Sequence, residues 1–255
     1  MSIDFKKHGH IAIITINRPS VRNALDRESL KAMRDIIINV DQDSELRVAI
    51  ISGSGNQAFC SGMDIQNPQN QQVNNSGEEE FPVSLMRGLT TNKPIIAAIN
   101  GAALGGGLEL MLTCDIRIAV TEATFGFPEI KLGLIPGWGG TQRVVRQLSW
   151  CNAAALLLTG NTINATEAYR TGLINQVVPS SVLMSTAVAW AENIAQAAPL
   201  AVQAAKEAMI KGSQLSLNEG LQLEDGLCTY LKTTTDYSVG MKAFKTKQIP
   251  QFKGE

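Results

Sequence analysis

The amino-acid sequence predicts an α/β core followed by a helical C-terminal section, and three observations lead there. Short apolar, β-rich runs recur through the first half of the chain with helical patterns between them. From Gly137 onward the pattern is almost entirely helical. A chain of 255 residues with 44% hydrophobic content can also fill one large interior.

Taken in order, residues 11–17 alternate loosely and read as a strand. A helix follows, with Asp26 as a credible N-cap and Leu30, Met33, Ile37 and Val40 at helical spacing. Arg18 and Arg22 therefore fall in a connection at a strand end, where they read equally as solvated loop arginines or as an anion clamp. Residues 47–53 form a second strand of buried type. Behind it Gly53-Ser54-Gly55-Asn56-Gln57-Ala58 formally matches a dinucleotide-binding pattern. That motif must open a helix, and here Phe59-Cys60-Ser61-Gly62 and a polar run come next. Residues 67–77 are rich in Asn and Gln without apolar periodicity, so the 66–80 loop is either a candidate lid or an inert insertion. Residues 78–92 are expected to be a helix with Phe81, Leu85 and Leu89 on one face.

The rest of the chain supports residues 94–140. An apolar run at 94–99 leads into Gly105, Gly106 and Gly107, and a helical pattern at 108–112 starts at once, carrying Glu109. Glycines there let the backbone approach a ligand, and the unpaired amides of a first helical turn point at whatever negative charge lies in front of them. After a strand at 115–120, a second carboxylate, Glu129, sits behind a proline in an apolar neighbourhood. A buried carboxyl needs a partner or a task, and two of them beside a cluster of N–H donors suggest acid/base chemistry on a polarised carbonyl. Helices are then expected at 141–148, 152–158, 165–171, 181–197, 200–211, 215–231 and 238–245, with a short strand at 175–178.

With 22 Lys and Arg against 23 Asp and Glu, the charge balance points to neither nucleic acid nor an anionic membrane, and a small-molecule partner is expected. The opening MSIDFKKHGH is polar, and the apolar run behind it is too short for a signal segment or a membrane span. Cys60, Cys114, Cys151 and Cys228 lack C-x-x-C spacing and read as reduced thiols of a cytoplasmic protein. The only histidines, His8 and His10, lie far from the glycine-rich centre, which argues against histidine-based nucleophile or metal sites there. No metal and no separate cofactor is expected.

Several long segments, NRPSVRNAL, AFCSGMDI, KPIIAAINGAALGGGLELMLTCDIRIA, FGFPEIKLGLIPGWGGTQR and LTGNTINATEAYRTGLINQVV, together resemble the crotonase, or enoyl-CoA hydratase/isomerase, superfamily over nearly the whole chain. The resemblance implies a superhelix of ββα units over residues 1–195 and a C-terminal helical region, 196–255, that drives homotrimer formation, with trimers often paired into homohexamers. It implies a coenzyme A thioester as substrate, with coenzyme A part of that substrate and not a cofactor. The oxyanion hole would be the backbone amides of Met63 and Gly106, and the acid/base pair Glu109 and Glu129. Similar isomerases usually keep only the second type of carboxylate, so both positions being filled favours hydration. Coenzyme A contacts would come from Arg22, Cys60, Gly62 and Ile65, and from Phe244 and Lys247 reaching a neighbouring subunit's ligand.

Three departures stand out. Gln66, Asn67 and Pro68 replace the usual lysine and acid of the adenine loop; Trp138 stands where many hydratases have a small residue; and Phe127 precedes Pro128 where a polar residue is common. Phe127 and Trp138 are expected either to border the acyl pocket or to pack the core. Other readings fit less well. A catalytically silent scaffold or RNA-binding relative has no use for both glutamates, and a glycosidase has no use for the glycine turn.

Overall fold

Strands buried on both faces need near-continuous apolar runs, and the Ile- and Ala-rich segments supply them. The structure, a computed structural model, describes residues 2–66 and 84–255. Its larger sheet has six strands in the order β1 (Ile3–His8), β2 (Ile11–Ile16), β3 (Val48–Gly53), β5 (Ile95–Ile99), β7 (Ile116–Val120) and β10 (Gln176–Val178). All its pairs are parallel except the β1–β2 hairpin. A second sheet joins four three-residue strands, β4 (Ala58–Cys60), β6 (Ala102–Leu104), β8 (Thr124–Gly126) and β9 (Thr162–Asn164).

The chain thus lays one strand in the large sheet and the next in the small one: β3 then β4, β5 then β6, β7 then β8. After β6 comes α2 (Gly106–Met111), and after β8 a 3-10 turn, Pro128–Leu132. Because β4, β6 and β8 pair side by side, the segments leaving them are stacked together, and Met63, Gly106, Glu109 and Glu129 lie in those segments. This is the spiral expected from the sequence.

Local signals explain the remaining elements. Helix α1 (Arg27–Gln42) starts where the Asp26 side chain accepts from the Ser29 amide at 2.8 Å, and it buries Leu30, Met33, Ile37 and Val40 as the periodicity predicts. Helices α3 (Gly140–Gln147), α4 (Trp150–Thr159) and α5 (Ala165–Arg170) follow. Next, α6 (Leu183–Ala195) lays Ala187, Ala191 and Ala195 on the large sheet. The C-terminal helices are α7 (Pro199–Gly212), α8 (Leu217–Leu231) and α9 (Thr235–Thr246). Lys206 of α7 pairs with Asp115 at 2.7 Å, and Arg47 donates to the carbonyls of Ala195 and Phe252, so the helical region is fastened to the sheet. No helix among the described residues is long and apolar enough to cross a membrane.

Two expectations need correction. The helix expected over 78–92 does not form in its described part. Ser84 and Arg87 exchange backbone hydrogen bonds of 2.8 and 2.9 Å, closing a tight turn that buries Leu85 and Met86. The start of that span and nearly all of the candidate 66–80 lid lie outside the described residues. Strand β1 was not expected, because IDFKKH buries only Ile3 at a sheet edge and so carries no apolar run. The G-x-G-x-x-A stretch behind β3 opens a turn into β4, as the missing helical pattern implied.

Candidate active site

The site begins where two backbone segments press together. Gly105 has φ +53, and a Cβ there would lie 2.8 Å from Glu129 Oε1, so only glycine fits. Across from it Gly62 has φ +100, and a Cβ there would come within 3.1 Å of the Gly106 amide nitrogen. The turn after β4 therefore packs directly on the start of α2. Leu25 donates to the Gly62 carbonyl and accepts from the Asp64 amide, both at 2.8 Å, which turns the Met63 amide away from that pairing. Among the described residues, neither the Met63 amide nor the Gly106 amide donates to a protein acceptor. Two neighbouring unused donors suit an oxygen on which negative charge develops.

Glu109, in the first turn of α2, is 2% exposed. Its Oε1 accepts from the amides of Trp138 and Gly140 at 2.6 and 2.7 Å, which fixes the carboxyl's direction. Burial outweighs those bonds and, with the nearby Glu129 charge adding to it, pushes the Glu109 carboxyl up to about 7. Glu129, on the 3-10 turn, is half-buried, and burial raises its pKa too. Its Oε2 is buried with no hydrogen-bond partner among the described residues. Both acids thus border the Gly105–Gly106 turn, and burial favours the protonated form of each relative to an exposed carboxyl.

The other predicted residues divide into groups. Cys60 is fully buried with its thiol pushed up to about 12 by burial, so its side chain stays neutral, and its Sγ accepts from the Gly62 amide at 3.4 Å. The Arg22 carbonyl accepts from the Ser61 amide at 3.1 Å, which places exposed Arg22 beside Cys60 and Gly62, with Ile65 exposed a few residues on. Of the two loop arginines, Arg18 is bound internally, pairing with Asp26 at 2.8 Å and Asp64 at 2.9 Å. Arg22 alone keeps an outward guanidinium.

Phe244 and Lys247 lie on the C-terminal helix α9 and its cap, and both are exposed. The Trp138 ring lies where a Cβ on Gly106 would be, 2.4 Å from it, so the indole covers the α2 start. Phe127 is fully buried, and its ring and the Glu109 side chain both lie against Gly140, where a Cβ would come within 2.8 and 2.9 Å of them.

Two further residues contribute to the site. Gly140 supplies an amide to Glu109, and Arg143 donates to the Trp138 carbonyl at 2.9 Å. The GWGGTQR run holds both, and a glycine pair followed by an arginine was the available signal. Among the described residues no group of three or more His, Cys, Asp or Glu could hold a metal ion.

Comparison with known proteins gives the same picture over the full length. Residues 6–255 match the family model described as enoyl-CoA hydratase/isomerase. The chain is 40% identical over 255 residues to an (E)-benzylidenesuccinyl-CoA hydratase of Thauera aromatica, with 100% of each covered. It is 39% identical over 257 residues to a short-chain-enoyl-CoA hydratase of Clostridium acetobutylicum, covering 99% of this chain and 98% of the relative. The crystal structure of an enoyl-CoA hydratase from Bacillus anthracis superposes with a TM-score of 0.91 at 36% identity, with 100% of both chains covered.

Proposed function

The chain belongs to the enoyl-CoA hydratase/isomerase family, and from that premise we propose that it adds water across the C2=C3 bond of a trans-2-enoyl-CoA to give a 3-hydroxyacyl-CoA. The observation that carries the reading is the pair of carboxyls, Glu109 and Glu129, flanking a turn that offers an unused amide. In this account the thioester oxygen accepts from the Met63 and Gly106 amides, each donor contributing roughly 10²- to 10³-fold in rate. Ionised Glu109 takes a proton from water as the water oxygen bonds to C3, and the π electrons move toward the thioester oxygen. Protonated Glu129 then gives its proton to C2. Water is consumed, and proton exchange returns both acids to their starting states.

The coenzyme A moiety would run past Arg22, whose exposed guanidinium suits a phosphate, and past the backbone around Cys60, Gly62 and Ile65. No further cofactor enters this mechanism. Phe244 and Lys247 would reach a neighbouring subunit's ligand. The exposed Met209, Leu217, Phe244 and Ile249 of the C-terminal region support a homotrimer or homohexamer built through residues 196–255. The four free cysteines support a cytoplasmic setting.

Crotonyl-CoA is the direct test, because hydration removes the absorbance of its conjugated thioester. Loss of that absorbance with formation of 3-hydroxybutyryl-CoA is the expected result. Inertness toward crotonyl-CoA, with absorbance gained instead from a 3-enoyl-CoA, would make the protein an isomerase.

A further inference from the structure

We propose that Arg143 is a positioning residue for Glu109, acting through the loop whose amides grip that carboxylate; the inference rests on Glu109 being the base of the hydration. Glu109 Oε1 owes its direction to the Trp138 and Gly140 amides. The Trp138 amide sits in the connection ahead of α3, among Gly133, Gly137 and Gly139, outside any helix or strand, and the Gly140 amide is at the first residue of α3. Arg143 does the holding. From the first turn of α3 its side chain folds back so that Nη1 donates to the Trp138 carbonyl at 2.9 Å and Nη2 to the Met86 carbonyl at 3.0 Å.

The Trp138 carbonyl lies between the two donating amides along the chain, so anchoring it restrains both. The guanidinium also fills the space beside Gly139 that a Cβ would take, which would lie 2.1 Å from Nη1. Through Met86 the same fork ties the loop to the Ser84–Arg87 turn, fastening three separate segments at one planar group. A lysine would offer a point charge on a flexible stem in place of a planar fork that holds the two carbonyls in fixed directions.

Charge adds a second link. The ionisable groups facing Glu109 are Glu129 from the 3-10 turn, whose charge disfavours ionisation of Glu109, and Arg143 from α3, whose charge favours it. Cys60 on β4 contributes no charge, since its thiol is pushed up to about 12. Arg143 itself is half-buried, and burial draws its pKa down while Glu109 opposes that. Removing the cation should therefore make Glu109 harder to ionise.

The test compares Arg143→Gln and Arg143→Lys with the wild type in crotonyl-CoA hydration across about pH 5 to 9, alongside thermal melting. For Arg143→Gln, kcat is expected to fall on the order of 10²-fold with little change in KM, and the acidic limb of kcat/KM to move up by roughly one pH unit. For Arg143→Lys, the limb is expected to return toward the wild-type position while kcat recovers only in part. A Gln variant that folds and keeps wild-type kcat and limb overturns the proposal. So does a loss of activity that tracks the unfolded fraction with an unmoved limb.

Should Arg143→Gln fail to fold, the Lys variant decides: reduced kcat at a wild-type limb supports the role, and unchanged kcat overturns it. A wild type inert toward crotonyl-CoA would strike at the hydratase reading instead. NMR titration of the Glu109 carboxyl carbon in wild type and the folded Arg143 variants then tests the link without turnover, with an upward shift on loss of the cation supporting it and an unshifted curve overturning it.

Discussion

The two acids of the site live in different surroundings. Glu109 rises from the first turn of a fully buried helix, with one oxygen gripped by two amides. Glu129 hangs from a 3-10 turn, half-buried, against a glycine, with one oxygen lacking any partner among the described residues. Burial raises both carboxyls, so it does not distinguish them. Anchoring does. A carboxylate with one oxygen fixed presents the other in a single direction, which suits aiming a water at C3. An unclamped carboxyl can carry a proton and adjust to the C2 it must reach. The contrast explains why one fold spends three segments on Glu109 and only the gap left by Gly105 on Glu129.

The largest expected effect comes from erasing either member of the contrast. Glu109→Gln and Glu129→Gln should each lower kcat for crotonyl-CoA by about 10²- to 10⁴-fold while leaving coenzyme A thioester binding nearly intact, as steady-state rates and isothermal titration would show. Near-normal turnover in either variant would remove that residue from the chemistry. Gly105→Ala should cost less, roughly 10- to 10²-fold, because a methyl at φ +53 must push Glu129 Oε1 from 2.8 Å while Glu109 stays gripped. A loss confined to C2 proton transfer would fit; equal loss in every step would not.

Smaller again is the effect of Trp138→Ala, which keeps the backbone amide on Glu109 but removes the ring over Gly106. The expected outcome, read across C4 to C16 enoyl-CoAs, is a severalfold gain for longer or bulkier chains relative to crotonyl-CoA, of the size a pocket methylene or two can bring. An unchanged preference would make the ring a packing element only. The least effect concerns stability. Glu109 has a folded pKa raised from 4.5 to about 7, so its neutral form favours the fold at low pH, and that contribution is lost as pH rises through about 7. Between about pH 5 and 8 the wild type should lose more thermal stability than Glu109→Gln, and parallel melting curves would contradict the shift.

Much of this was readable from residue order. The β2, β3, β5 and β7 strands announce themselves as short, mostly apolar, β-rich runs, and Gly105–Gly107 ahead of Glu109 marks the helix start on which the site is built. The second sheet was not readable, since three-residue strands such as Ala102–Leu104 carry no periodicity and exist only through pairing with distant neighbours. The grip on Glu109 was readable only in part: its donors are backbone amides 29 and 31 residues away, and the one trace they leave is the glycine at 140, where a Cβ would lie 2.9 Å from Glu109 Cγ. Phe127 shows the opposite limit. Its position beside Glu129 left a pocket wall and core packing equally open, because which way a side chain turns from an irregular segment is decided by the packing around Gly140.

The division of work between the acids can be measured without any hydration step. In deuterated water, exchange of the C2 protons of butyryl-CoA needs the amide pair to hold the enolate and one acid to move the proton, but no nucleophilic water. Exchange should survive in Glu109→Gln at a substantial fraction of the wild-type rate and fall by at least about 10²-fold in Glu129→Gln. Equal losses in the two variants, or the reverse order, would contradict the account.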